Sequence, residues 1–466
     1  MVTADFNADG DLDLAVVSAH LSSVGSPTPG VEIFYGDGSG EFSDETPFPT
    51  QAGPNESPIS LAVADFNNDG NPDLAVANST DNTVSVLLSN ANGTFQTGVT
   101  LAVGANLRSV AATDFNGDGK ADLVAANFGD NTLSVFLGRG NGTFQVGPTL
   151  ETGPGPFALV TADWRVDAQP NVAVLQSNER VRILAGHGAQ YFTPGNVYDI
   201  VRRVPRDKGG DGYFDKAFIN ADFNGDGKPD VATPNAARNV ISVRLGVGVG
   251  TLADAIEVAY PSDVAPISMV AGDFGGDGKT DLITGDPGTL SWLRGKGDGT
   301  FHAPVTYSFP TARLNGVEYP YVPFELAVGD INGDGHSDLV IRLTKFASSF
   351  QFVLGLGIGV VLGNGDGTFR GEDATNGVLK PFLYLYDRYN EGPYQAYRFG
   401  SQLAVGDLVV LLDPRPQHRF RRCRHREGVY DLHHPAESRA DEYWPEQYER
   451  RREPDSRHDG GYVQHD

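Results

Sequence analysis

The chain has 466 residues, 58 of them glycine and 29 proline, a turn-rich composition that fits one large repeat domain. Its formal net charge of -25 argues against nucleic acid or an anionic membrane surface as partner. Cys423 is the single cysteine, so there is no disulfide framework, and no stretch is long and apolar enough to span a bilayer.

The chain opens on an acidic loop, Asp5-Phe6-Asn7-Ala8-Asp9-Gly10-Asp11-Leu12-Asp13, whose pattern D-x-N-x-D-G-x-x-D returns from Asp65, Asp114, Asp222 and Asp330. A variant starts at Asp273, with Gly275 in place of the asparagine, and a decayed copy starts at Asp163. Recurrence roughly every 50 to 60 residues marks a solenoid, a propeller or an array. Short apolar runs flank each loop: Ser60 to Ala64 and Asp73 to Ala77 around the second, Ser109 to Ala112 and Asp122 to Ala126 around the third. They predict a buried hairpin with the loop at its tip. Alternating runs follow, Asn82 to Leu88 and Asn131 to Leu137, whose period of two predicts a third strand with one face buried. A glycine-rich turn then leads into Thr94-Phe95, Thr143-Phe144, Thr300-Phe301 and Thr368-Phe369, each predicted to open a fourth strand.

The loop spacing dictates its chemistry. Alternate residues put oxygen-bearing side chains at the first, third and fifth positions on one side of a tight turn, and glycine at the sixth lets the backbone fold back. The carbonyl of the seventh residue and the carboxylate of the ninth then complete about six or seven oxygen ligands. The seventh position holds Asp11, Asn71, Lys120, Lys228, Lys279 or His336, and an ammonium cannot face a divalent cation, so the backbone is the ligand there. All-oxygen donors argue against zinc and copper, and a flexible loop with a bidentate carboxylate suits calcium better than magnesium. The expected ligand sets are Asp5, Asn7, Asp9, Asp11 and Asp13; Asp65, Asn67, Asp69, Asn71 and Asp73; Asp114, Asn116, Asp118, Lys120 and Asp122; Asp222, Asn224, Asp226, Lys228 and Asp230; Asp273, Asp277, Lys279 and Asp281; and Asp330, Asn332, Asp334, His336 and Asp338. Loops with the full set are expected to fill first and the Asp273 loop more weakly. The Asp163 loop is expected to stay empty, because Arg165 adds a positive charge and Ala168 stands where the turn needs glycine.

The fold expected is all-β: a seven-bladed β-propeller of four-stranded antiparallel blades, with calcium loops between the first two strands of most blades. Units start near residues 1, 58, 107, 156, 217, 266 and 324, and the propeller occupies 1–406. The unit S-V-A-x-x-D-F-N-G-D-G-x-x-D-L, then N-T-V-S-V-x-L-G-x-G-x-G-T-F, resembles the FG-GAP or VCBS repeat of bacterial surface proteins, which is related to the N-terminal β-propeller of integrin α subunits. The resemblance covers roughly residues 1 to 405. It implies calcium between the first two strands of a blade, and ligand contact on the face opposite the calcium loops.

That opposite face is expected to carry the irregular segments 18–30, 196–216, 307–324 and 375–400, the last two rich in tyrosine: Tyr307, Tyr319, Tyr321, Tyr384, Tyr386, Tyr389, Tyr394 and Tyr397. Rigid amphipathic rings suit protein or sugar contacts. Asp207 to Asp215 repeats part of the loop skeleton without a flanking strand and is expected to be a turn. Residues 401–406 offer a spare strand that could close the ring. From about Pro414 the repeat gives way to arginine and histidine. Gln417 to Arg421, translated one base out of frame with suitable codons, gives N-T-V-S-V, so 407–466 is expected to be a frame-shifted, poorly ordered tail.

The function expected is a calcium-binding extracellular propeller, a binding or adhesion module for a protein or surface glycan, acting as a monomer or as part of a larger surface protein. Half-cages with dissociation constants of about 0.1 to 1 mM stay empty in cytosol, which places the chain outside the cell or at its surface. The N-terminus is no signal peptide and opens at the end of a blade's first strand, so the chain is expected to be truncated there. The alternatives are a lectin with sugar pockets between blades and a polysaccharide-degrading enzyme. Catalysis is not expected, because His20, His187, His302 and His336 sit in no nucleophile or metalloprotease motif.

Overall fold

The computed structural model describes residues 1–21, 28–42, 46–49, 58–178, 180–185, 193–199, 217–235, 240–260, 266–309, 311–314, 317–346, 353–370 and 382–386. The chain divides into two compact units, Met1–Leu408 and Val409–Asp466. The second unit, the Asp207 to Asp215 turn and the spare strand at 401–406 all lie outside the described residues.

Seven antiparallel sheets follow one another along the first unit. Blade 1 is β1 (Val2–Ala4), β2 (Asp13–Leu21), β3 (Thr28–Phe34) and β4 (Thr46–Pro49). Blade 2 is β5 (Pro58–Ala64), β6 (Asp73–Asn78), β7 (Thr83–Ser89) and β8 (Phe95–Ala102), and blade 3 is β9 (Leu107–Thr113), β10 (Asp122–Asn127), β11 (Thr132–Gly138) and β12 (Phe144–Glu151). Blade 4 is β13 (Pro156–Ala162), β14 (Asn171–Gln176), β15 (Arg180–Ala185) and β16 (Thr193–Asp199). Blade 5 is β17 (Ile219–Ala221), β18 (Asp230–Asn235), β19 (Val240–Arg244) and β20 (Ile256–Ala259), and blade 6 is β21 (Ser268–Gly272), β22 (Asp281–Asp286), β23 (Thr289–Leu293) and β24 (Val305–Ser308). Blade 7 is β25 (Thr311–Leu314), β26 (Val317–Gly329), β27 (Asp338–Phe346), β28 (Val353–Val361) and β29 (Phe382–Tyr386). The fold is therefore the expected seven-bladed propeller, with one addition: β25 pairs with the first half of β26, which gives the last blade a fifth strand.

The burial pattern explains the strand sequences. Every residue of β6, β10, β14 and β22 is buried, because the second strand is covered by the sheets on both sides, and an apolar run without alternation serves both faces. The fourth strands β8 and β12 are largely exposed or half-buried. Segments expected to be irregular are partly strand: 307–324 contributes to β24, β25 and β26, and Tyr307 is buried, its hydroxyl donating to the Gly367 carbonyl. Phe95 and Phe144 do open fourth strands, whereas Phe42, Leu252, Phe301 and Phe369 each close a single bridge, to Gly36, Gly246, Gly295 and Gly363.

One contact repeats between neighbouring blades. In four loops the residue after the first aspartate packs on the turn aromatic of the next blade: Phe6 on Phe95 and Phe66 on Phe144 at 5.6 Å between centroids, Phe223 on Phe301 at 5.8 Å, Phe274 on Phe369 at 6.3 Å. A backbone bond accompanies it, with the N–H of Gly93, Gly142, Gly250, Gly299 and Gly367 donating to the carbonyl of Phe6, Phe66, Trp164, Phe223 and Phe274. At Gly367 (φ +85) a Cβ would lie 1.8 Å from the Trp292 ring, so close approach as well as turn geometry demands glycine there. Ring closure uses the same pairing in aliphatic form: Ile331 of blade 7 and Phe42 of blade 1 share a core with Leu14, Val16, Val340, Ile358, Val360 and Leu362. Phe66→Ala is expected to cost about 3 to 5 kcal/mol, since it removes a buried ring and opens a cavity between two blades. Chemical denaturation checks this; a loss below 1 kcal/mol, about the level of a surface change, would contradict it.

Candidate metal-loop site

The first-to-second-strand loops and the third-to-fourth-strand turns lie on one face of the propeller, as the antiparallel order requires. In the loop from Asp65, Asp65 accepts the Asp69 N–H at 3.1 Å and the Gly70 N–H at 2.8 Å, one on each carboxylate oxygen. The Asn67 Oδ1 accepts the Asp69 N–H, and the Asp69 Oδ1 accepts the Asn71 N–H, both at 2.9 Å. The loops from Asp5, Asp114, Asp222 and Asp330 repeat this arrangement.

The ninth position is placed differently from the others. Asp13, Asp73, Asp122, Asp230, Asp281 and Asp338 are fully buried. One oxygen of each accepts the N–H of the loop's second residue, and the other the N–H of Gly36, Ser89, Gly138, Gly246, Gly295 or Gly363, at or just beyond the end of the third strand. This carboxylate pins the loop to the blade. Burial pushes the Asp13, Asp73, Asp122 and Asp230 carboxyls up to about 6; the backbone bonds oppose that rise and the other loop carboxylates add to it. Asp281 and Asp338 are also raised by burial. Asp226, at a fifth position, is lowered by the Lys228 ammonium bonded to it.

The donors are carboxylate, amide and carbonyl oxygens only, so the chemistry fits a hard divalent cation. Among the described residues, no three His, Cys, Asp or Glu side chains are gathered as a ligand group. The first and ninth carboxylates face backbone donors in this geometry.

Sequence reasoning anticipated one left-handed residue per loop, the sixth; the structure has two. The fourth position is also left-handed, at Ala8 (φ 60), Asn68 (φ 59), Gly117, Gly225, Gly276 and Gly333. The signal in the sequence was the Asn, Ala or Gly at that position. The decayed loop keeps the turn in spite of its residues: Val166 (φ 56) and Ala168 (φ 61) are both left-handed, with Asp163 accepting the Ala168 N–H at 2.7 Å. Missing glycine therefore strains this turn without abolishing it. Ala168→Gly is expected to stabilise the chain by about 1 kcal/mol by removing the Cβ penalty; a lower melting temperature would contradict this.

On the opposite face the second strands end in buried polar side chains. Asn78 and Asn127 each donate to a threonine and a serine of the next strand. Asp286 holds the same place in blade 6, accepts the Tyr260 hydroxyl, and leaves its Oδ1 without a hydrogen bond. Burial pushes its carboxyl up to about 7, opposed by the Tyr260 bond. With the folded value above the unfolded one, this group's contribution to stability is complete only below about pH 4 and is lost as pH rises through about 7. Asp286→Asn is therefore expected to stabilise the chain by about 1 to 3 kcal/mol near pH 8 and by little near pH 4. Melting curves at the two pH values check this, and an equal effect at both would contradict it.

The FG-GAP-like repeat profile matches residues 5–76, 65–125, 114–174, 222–284 and 273–341, more than half of the chain. The chain belongs to the FG-GAP-like repeat family. Each matched span runs from one loop's first aspartate past the end of the next loop, so one repeat of the profile carries two successive loops. No curated protein sequence matches the chain. Among solved structures, it is similar to an Agrocybe aegerita lectin whose structure concerns recognition of non-reducing terminal N-acetylglucosamine (18% identity, TM-score 0.50, covering 76% of this chain and 87% of the lectin). A periplasmic gluconolactonase of Pseudomonas aeruginosa (16% identity, TM-score 0.46, covering 64% and 82%) and a putative 6-phosphogluconolactonase of Bacteroides uniformis (16% identity, TM-score 0.46, covering 74% and 94%) are also similar. At these identities the likeness is one of fold. The expectation that the chain is not an enzyme does not stand: neither this fold nor a lack of histidine motifs separates a catalytic propeller from a binding one. No helix among the described residues is long and apolar enough to cross a membrane.

Proposed function

We propose that this FG-GAP-type propeller is a calcium-stabilised extracellular binding module that presents the face opposite its acidic loops to a protein or surface glycan. The observation that supports calcium is the burial of six ninth-position carboxylates beneath loops already crowded with acidic oxygens. A divalent cation on the loop would offset that repulsion and favour the ionised form. The residues that would hold it are the first, third and fifth side chains, the seventh carbonyl and the ninth carboxylate of each intact loop.

Two features favour the opposite face for partners. Guanidinium groups lie over aromatic rings there, Arg108 over Phe128 at 5.3 Å and Arg342 over Phe324 at 5.8 Å, and such pairs suit amphipathic ligands. The blade-to-blade locks occupy the loop face and leave the second-to-third-strand turns free to vary. The lectin of similar fold makes a glycan the first ligand class to test.

Each loop filled at calcium tenfold above its dissociation constant is expected to add about 1.4 kcal/mol to stability. Melting with chelator and with millimolar calcium checks this; equal melting temperatures would remove calcium from the function. Glycan-array binding abolished by one monosaccharide would identify a sugar ligand, whereas silence on the array with capture of a surface protein would identify a protein one.

A further inference from the structure

The loops differ in what already sits on the fifth-position carboxylate. In the loops from Asp5 and Asp65 the Oδ2 of Asp9 and of Asp69 accepts the amide of Asn7 or Asn67, both at 2.9 Å. In those from Asp114 and Asp222 it accepts the loop's own lysine, Lys120 at 3.2 Å and Lys228 at 2.7 Å. In the last two loops an arginine from outside the loop arrives: Arg294, next after β23, donates to Asp277 at 3.0 Å, and Arg370, just past the turn phenylalanine Phe369, donates to Asp334 at 2.7 Å. Asp277 takes Lys279 as well, and the Asp334 Oδ2 accepts the Asn332 amide at 2.9 Å beside the arginine. In the decayed loop Arg165 pairs with Asp167 at 3.0 Å.

We propose that in the loops from Asp273 and Asp330 an arginine of the same blade stands in for the metal ion, so that blades 6 and 7 are held closed by the protein's own cation while the loops from Asp5, Asp65, Asp114 and Asp222 depend on calcium. This rests on the calcium reading above and alters one expectation from the sequence, that the Asp330 loop fills with the first. The physical reason is competition for one carboxylate. A guanidinium is always charged and donates in a fixed plane, and it approaches from a backbone position that the blade already fixes, so little further ordering is needed. A calcium ion entering the loop must share Asp277 or Asp334 with that charge or displace it. Lys120 and Lys228 hang from the loop itself on flexible stems and swing away at less cost. The Asp273 loop is the most fully closed: it lacks the third-position side chain, carries two cations on Asp277, and its Asp281 receives the Trp292 indole N–H at 3.1 Å in addition to its backbone donors.

Trp292 supplies the test. Its indole is bonded to the ninth carboxylate of the Asp273 loop, so a terbium ion in that loop would be sensitised through tryptophan. The full chain is freed of metal and titrated with calcium by calorimetry and with terbium by tryptophan-excited luminescence, as wild type, Arg294→Gln and Arg370→Gln. Calorimetric binding with weak sensitised emission in the wild type, emission that rises in Arg294→Gln with about tenfold tighter uptake, and one additional calcium bound by Arg370→Gln would support the proposal. Calcium binding with strong wild-type emission unchanged in Arg294→Gln would overturn it and leave the calcium reading standing. No calcium binding by any of the three chains would overturn both.

Discussion

The structure depends on one contact made again and again around the ring. The apolar residue that follows a loop's first aspartate lies against the turn aromatic of the next blade, and the backbone carbonyl of that same residue accepts the next blade's glycine N–H. A propeller has no continuous sheet from blade to blade, so neighbours must be fixed by side-chain packing and a few backbone bonds. Placing the lock at the loop ties two demands together: the acidic turn must hold its shape for the aromatic residue to reach its partner.

The ninth-position aspartate meets that demand. Fully buried, it accepts N–H groups from the start of the loop and from the end of the third strand, joining parts of a blade that would otherwise meet only through the ladder. A carboxylate in such a place is costly to keep charged, as its raised pKa records. The fourth blade lacks this tie: Asn171 replaces the aspartate and its buried Oδ1 accepts no hydrogen bond, Arg165 pairs with Asp167, and Trp164 packs in the core with Leu252 of the next blade. The loop has lost part of its donor set and the pinning carboxylate, and it keeps the contact with the next blade. The contact between blades thus survives without the full acidic donor set of the nine-residue string.

Most of the fold was legible because repetition multiplies weak signals. One Asp-Gly turn between apolar runs is ambiguous; several copies at one period, each followed by an alternating run and Gly-Thr-Phe, leave little but a blade. The seven sheets and the placement of the acidic loops at hairpin tips follow from that pattern. Where a blade departed from the repeat, prediction failed. Residues 311–329 form an extra strand pairing that tyrosine-rich sequence did not announce, and Tyr307 turned out to be core because its hydroxyl finds the Gly367 carbonyl of the next blade. The left-handed fourth position was also missed, since alanine, asparagine and even valine occupy it beside the glycines.

By itself the sequence determined the repeat, the class of fold and the chemical nature of the loop donors, because these depend on residue type and spacing within a single unit. Only the tertiary structure decided which units touch and which charges neutralise one another. Phe66 and Phe144, or Asp334 and Arg370, are far apart along the chain and are brought together by the packing of one blade on the next or of a loop on its own blade's outer turn. Burial made the final distinction: the aspartates of a loop look alike in sequence, yet the one sealed between sheets is raised by desolvation and holds the blade, while those at the rim stay in contact with solvent, where an arginine reaches one of them.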